Sequence, residues 1–143
     1  MGPTDRRKPG AILVHSRLTR PAEFTAADLN SWYDAKHIPE VLATPGVRAA
    51  ARYQMVVHPL PRDAAATTTA QPEEDKREMP YLAVYWLADL GWLHEEGCEF
   101  WRLPLGLPGR EGEMVWDVGE FETQVWEKVG VVDSGGGGSE KGL

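Results

Sequence analysis

The side chain best placed for chemistry is His37. Leu29, Tyr33, His37 and Val41 recur every four residues, with Trp32 beside them, so a helix through this stretch turns the whole set inward. An inward imidazole titrates near neutral pH and can take or give a proton at an enol or a phenol. Tyr33 would hold a flat substrate against it. The plainer reading is a half-buried histidine hydrogen-bonded to backbone. Tyr53, on the strand that follows, is the second candidate. Read as pointing at the helices, its hydroxyl would donate to a carbonyl or a developing enolate oxygen. A core tyrosine with its hydroxyl at the sheet edge is the equal alternative. His15 and Arg17 share one face of an earlier strand. An arginine there would bind a carboxylate or phenolate, but a salt bridge to Asp34 or to an acidic residue of the last strand is the stronger reading. Tyr85 and Trp86 lie on opposite faces of a third strand, so only one can line a given cavity. Trp86 therefore counts with Tyr33, Arg17 and His15 among the substrate-binding candidates. Asp34 would orient His37 only if the helix distorts near Pro39.

Other chemistries find less support. The only cysteine is Cys98, so no internal disulfide and no all-cysteine metal site can form. His94 one turn before it gives weak support to a nucleophilic thiol, and a buried or idle thiol is the better reading. No His-x-x-x-His pair, Cys pair or dense carboxylate cluster suggests a metal. Haem would rest on the inward histidine alone. Gly106 to Gly112 lacks the lysine and the strand-before-helix setting of a phosphate loop, and no Gly-x-Ser-x-Gly elbow occurs. The net charge of −7 argues against nucleic acid and anionic membrane surfaces. His58 and His94 look exposed and idle.

These candidates need elements to position them. The 143 residues suit one domain with a core of its own. Residues 1–10 read as a flexible lead-in, 11–132 as the folded domain and 133–143 as a disordered Gly-rich tail. A β-run over 11–18 turns Ile12, Val14 and Ser16 one way and Leu13, His15 and Arg17 the other. Thr25 with Asp28 marks a helix start. Pro39 should kink or end the regular helix, and Thr44-Pro45-Gly46 closes the element. A second β-run covers 47–58, a long loop 59–80, a third strand 81–88. Asp89 would cap a second helix carrying Leu90, Leu93, Gly97 and Phe100-Trp101. A Gly/Pro-rich loop follows from Pro104 to Gly112, and residues 120–129 alternate as a final strand. No apolar run resembles a signal peptide or a membrane span, which makes the cytoplasm the expected location.

Strand, helix, strand, loop, strand, helix, strand is the α+β order of a ferredoxin-like βαββαβ unit: a four-stranded antiparallel sheet with two helices on one face. The strands carry apolar residues on both sides, so the bare face needs a cover, and a second copy is the simplest. Two such sheets face to face would form a dimeric α+β barrel. The stretch Trp32-Tyr-Asp-x-x-His-Ile-Pro-x-x-Leu, then Pro45-Gly46 and Arg52-Tyr53, resembles the EthD-like branch of the dimeric α+β barrel superfamily, and Tyr81-Leu-Ala-Val-Tyr with the closing strand is similar to fungal members. The resemblance spans roughly residues 10–130. It implies the fold, a homodimer and a histidine at His37 that lines the ligand cleft. Function carries over less directly. The resulting expectation is a small cofactor-independent enzyme of specialised metabolism acting on an aromatic or polyketide-derived ligand by cyclisation, decarboxylation or a related lyase or isomerase step. His37 would be its acid/base, with Tyr53 or Tyr33 polarising a carbonyl. The rivals are a cofactor-free monooxygenase and a non-catalytic binding or stress-response barrel.

Overall fold

The branched apolar run Ile12-Leu-Val14 has the composition of a strand flanked on both sides, and it forms the centre of the sheet. In a computed structural model, which describes residues 7–56 and 78–132, β1 (Gly10–Leu18) is hydrogen-bonded on either side. It pairs antiparallel with β3 (Tyr81–Leu87) and with β4 (Gly119–Glu127), while β2 (Val47–Gln54) pairs antiparallel with β3. The sheet order is β2-β3-β1-β4. The molecule is thus a small α+β fold with a four-stranded antiparallel sheet. The expectations for residues 1–6, for most of the loop over 59–80, for His58 and for the tail from 133 lie outside the described residues. The strand starts at Gly10, and the main chain just before it is held: Lys8 N donates to Asp89 Oδ1 at 3.2 Å, and Lys128 N donates to Pro9 O at 2.8 Å.

Ile12 and Ser16 are buried on the face that meets the helix, together with Ala83, Tyr85 and Leu87 from β3. Leu29, Trp32, Tyr33 and Val41 pack onto them from the helical layer, so the four-residue stripe is the inward one. The helix begins where the sequence says. Asp28 N donates to Thr25 Oγ1 at 3.1 Å and Thr25 N to Asp28 Oδ2 at 2.9 Å, a reciprocal pair that satisfies two otherwise orphaned donors. It runs as α1 (Ala26–Trp32), a π turn (Tyr33–His37) and α2 (Ile38–Leu42). Pro39 does not end it.

Among the described residues this is the one helix. The second helix expected after Asp89 is replaced by two short 3₁₀ turns, Leu90–His94 and Glu99–Arg102. Asp89 does cap, accepting from Gly91 N at 3.0 Å. Gly97, however, sits at φ 80°, a left-handed conformation that stops a right-handed helix between the two turns. The Gly/Pro-rich segment beyond it is built into the fold. Gly106 bridges Met114, Val115 N donates to Leu105 O at 2.8 Å, and a third 3₁₀ turn, Val115–Asp117, leads into β4. No helix of the described residues is long and apolar enough to cross a membrane.

Candidate active site

The π turn in the helix shapes the site. At position 39 proline has no N–H to give Ala35, and its ring crowds the carbonyl of that residue. The helix widens just before it, and Ile38 N donates five residues back to Tyr33 O. The consequence falls on Trp32 and His37. In a regular α-helix, residues five apart point about 140° away from each other. The wider turn brings them round, and the indole and imidazole stack with centroids 4.6 Å apart and planes 9° off parallel. Trp32 Nε1 is fixed by Gly106 O at 3.2 Å. Such π turns are rare and concentrate at functional sites. Replacing Pro39 by Ala restores the missing donor and should let the helix close to α geometry. The expected result is a higher melting temperature with a changed near-ultraviolet tryptophan signal. An unchanged aromatic spectrum would mean that the proline does not hold the π turn.

His37 is buried and lies at the wall of a cavity of about 640 Å³ between the helix, the sheet and the 3₁₀ turns. Tyr33 and Tyr85 share that wall, Val14 and Thr123 belong to the sheet side, and Phe100 faces Tyr85 at 5.9 Å. The lining residues that stay exposed, Trp101, Trp116 and Thr123, mark the open side. A volume of this size suits a drug-sized ligand.

The polar groups at the wall resist charge. Burial pulls the His37 imidazole down from its ordinary 6.5 to about 4; Glu40 nearby opposes the change and Lys36 adds to it. At neutral pH the ring is therefore uncharged. Burial likewise pushes the Tyr33 phenol up to about 12 against the pull of Arg52, and it raises Tyr85 further, with Tyr33 adding to the rise and Arg52 opposing it. Three polar atoms here are buried without a hydrogen-bond partner: His37 Nδ1, Tyr85 Oη and Ser16 Oγ. The Ser16 hydroxyl lies close enough to Tyr33 to favour its phenolate slightly, yet outside good hydrogen-bond geometry. Of the two His37 nitrogens only Nδ1 is buried without a partner, so Nε2 is the more open of the two.

The candidates separate by sheet face. His37 and Tyr33 meet at the cavity, their rings edge to face at 5.8 Å. Tyr53 does not reach it. Its cross-strand partner is Leu82, on the opposite face from the helix, and its ring is 53% exposed. Trp86 lies on that same open face, so Tyr85 is the aromatic of β3 that lines the cavity. His15 sits opposite Leu82 and Glu122 on the open face, with a buried, unpartnered Nδ1. Arg17 Nε donates to Glu120 Oε1 at 2.8 Å, the last-strand member of the two salt bridges that the sequence offered. Asp34 is not beside His37 but 3.5 Å from Arg52 Nη1.

Sequence reasoning passed over two contributors. Arg52 Nη2 donates to Asn30 Oδ1 at 2.7 Å, and its guanidinium lies 4.4 Å from the Tyr33 ring centroid, so one strand residue clamps the helix in place. Its alternation with Tyr53 was the available signal. Tyr85 was one half of an open choice, and only the strand phase decides it. Among the described residues no group of three or more His, Cys, Asp or Glu could hold a metal ion. Set against family models, curated proteins and solved structures, the chain finds no match.

Proposed function

We propose that the cavity binds a planar aromatic or polyketide-like carbonyl compound and that the chain is a cofactor-independent lyase or isomerase acting on it. The observation that carries this reading is the pair of uncharged polar groups, His37 and Tyr85, whose rings meet at 6.3 Å in a wall made mostly of aromatic and aliphatic side chains. A buried polar atom without a partner costs about 1–3 kcal/mol, so a ligand atom that pairs with it binds with advantage. A bare buried nitrogen is cheaper than a buried unpaired N–H, which assigns the His37 proton to Nε2. Nε2–H and the Tyr85 hydroxyl then both donate to a ligand carbonyl oxygen and stabilise the enolate that forms from it when solvent water or hydroxide takes the α-proton. The polarising role expected of Tyr53 passes to Tyr85, and His37 acts chiefly as a donor.

The finer fold assignment belongs to the same proposal. The order β2-β3-β1-β4 supports reading the chain as a ferredoxin-like unit in which 3₁₀ turns stand where the second helix would be. The open face carries Tyr53, Trp86 and Trp126, all substantially exposed, and a second copy covering it would give the dimeric α+β barrel of the EthD-like proteins.

One observation favours a second reading, a non-catalytic binder: an imidazole held near 4 is a poor proton acceptor at neutral pH. The test is exchange of the α-protons of 2-tetralone in D₂O, followed by NMR. Acceleration is expected, with Tyr85→Phe and His37→Phe each slowing it by about 10²-fold. Binding without any acceleration identifies the second reading. Rates untouched in the double variant remove the two residues from the chemistry. Oxygen uptake with an activated ketone would place the chain with the cofactor-free monooxygenases.

A further inference from the structure

We infer that Trp101 and Trp116 form an outer subsite that selects ligands long enough to carry a third fused aromatic ring; this rests on the cavity being the ligand site, with the carbonyl held at His37 and Tyr85. Size gives the first reason. The cavity measures about 640 Å³. Liquid water occupies about 30 Å³ per molecule, so the space equals about 20 waters. A bicyclic ketone whose oxygen meets His37 and Tyr85 fills only the inner part. Aromatic rings then mark the way outward. Tyr85 is buried, Phe100 half-buried and Trp101 55% exposed. Tyr85 and Phe100 meet edge to face at 5.9 Å, and Phe100 and Trp101 do the same at 5.1 Å. All three line the cavity, so the row runs along its wall from the buried phenol to the open side.

The outermost ring of that row is held in place. Trp101 Nε1 donates to Leu93 O at 2.8 Å, so the indole keeps one orientation although more than half of it is exposed. A ring already fixed loses little freedom when a ligand covers it. Trp116, exposed to the same degree, joins the lining from a different 3₁₀ turn, Val115–Asp117, whose Val115 is buried in the core. A flat extension that covers these two indoles removes apolar surface which the fold alone leaves in water, and it meets rings suited to offset or edge contact. A single-ring ketone reaches His37 and Tyr85 and stops short of them. Trp101 and Trp116 thus touch the part of the ligand away from the reacting atoms, and their role is specificity.

Equilibrium dialysis of the full chain at pH 7 against acetophenone, 2-acetylnaphthalene and 2-acetylanthracene tests this, because the three carry one methyl ketone on one, two and three rings. The third ring should tighten binding to the native chain about tenfold. Trp101→Ala should cut that gain to about twofold, whereas Trp101→Phe, which keeps an aromatic face, should retain most of it. Trp116→Ala, a change at an exposed ring, should lower the same ratio, and it carries the test if Trp101→Ala fails to fold. A larger ligand binds better in any apolar cavity, so the ratio in the variants is the deciding measurement. A third-ring gain that survives both alanine variants overturns the subsite. Binding of 2-acetylnaphthalene with no further gain for 2-acetylanthracene in the native chain overturns this inference alone. If none of the three ketones binds, the cavity reading itself fails, and this inference fails with it.

Discussion

Acidification from pH 7 to pH 4 should cost the native chain about 3 kcal/mol more than it costs a His37→Phe variant. The argument is one of proton linkage. Unfolded, His37 takes a proton below its ordinary 6.5; folded, burial holds it off until about 4. Between those values the unfolded chain binds more protons than the folded one, so stability falls as pH falls, by about 1.4 kcal/mol per unit. Above 6.5 both states carry neutral imidazole and the slope vanishes; below 4 both carry the proton and it vanishes again. The lowered value means that stability is fully present at neutral pH and is lost on the acid side. Glu40 and Lys36, which act on the ring from opposite directions, are joined to each other at 3.0 Å, so their influences partly cancel. Phenylalanine keeps a flat ring to stack on Trp32 and removes the titration. Urea midpoints at pH 7, 6, 5 and 4 measure the effect. The absolute stability of the variant is immaterial, because the reading is the difference in slope. Two parallel curves would mean that His37 is solvated in the folded state, and the account of an uncharged wall would go with it.

That account was half legible in the sequence. The four-residue stripe through Leu29, Tyr33, His37 and Val41 survives the π turn because all four still face the sheet, and all four are buried. The stack of Trp32 on His37 was not legible. It depends on an extra residue in one helical turn, and a pattern counted at regular spacing assigns the two rings to different faces. Pro39 was recognised as a disturbance, but local sequence does not say whether a proline ends a helix or widens it. That depends on the core that holds residues beyond it, here Val41. The strands failed differently. Alternation within β2 and β3 separates two faces correctly, yet which face meets the helix is set by cross-strand register. That register pairs Tyr53 with Leu82 and Arg52 with Ala83, after an irregularity between Val47 and Ala49. One step of phase exchanged the expected Tyr53 for Arg52 at the helix and decided Tyr85 over Trp86. Arg17 was easier, because β1 and the alternating last strand put it opposite Glu120.

Filling the glycine that closes the helix-to-strand turn is expected to be costly. Gly46 was legible as a turn residue after Thr44-Pro45, which suggests a backbone that only glycine adopts. Its backbone is not in the left-handed region; the glycines that are, among the described residues, are Gly97, Gly109 and Gly112. The reason for Gly46 is a neighbour 46 positions on. A Cβ built there would overlap Cδ2, Cε3 and Cε2 of Trp92, atoms in the body of the indole that cannot swing aside as a chain end would. Trp92 belongs to the first 3₁₀ turn and packs against the core, so displacing it disturbs the layer that stands where a second helix was expected. Gly46→Ala should therefore cost about 3 kcal/mol, the upper end for overpacking. Trp92→Ala, which empties part of that layer, should cost about 3 kcal/mol by itself. Removing the indole also removes the obstacle, so the double variant should cost close to 3 kcal/mol and not the roughly 6 kcal/mol of independent sites. Denaturant titration of the four proteins closes the cycle. Additive costs would show that the glycine is kept for its backbone after all. The same turn also sets where β2 departs from the helix, so Gly46→Ala should draw Arg52 off the Tyr33 ring and weaken ligand binding together with stability, whereas a substitution that only loosens the core would leave that clamp in place.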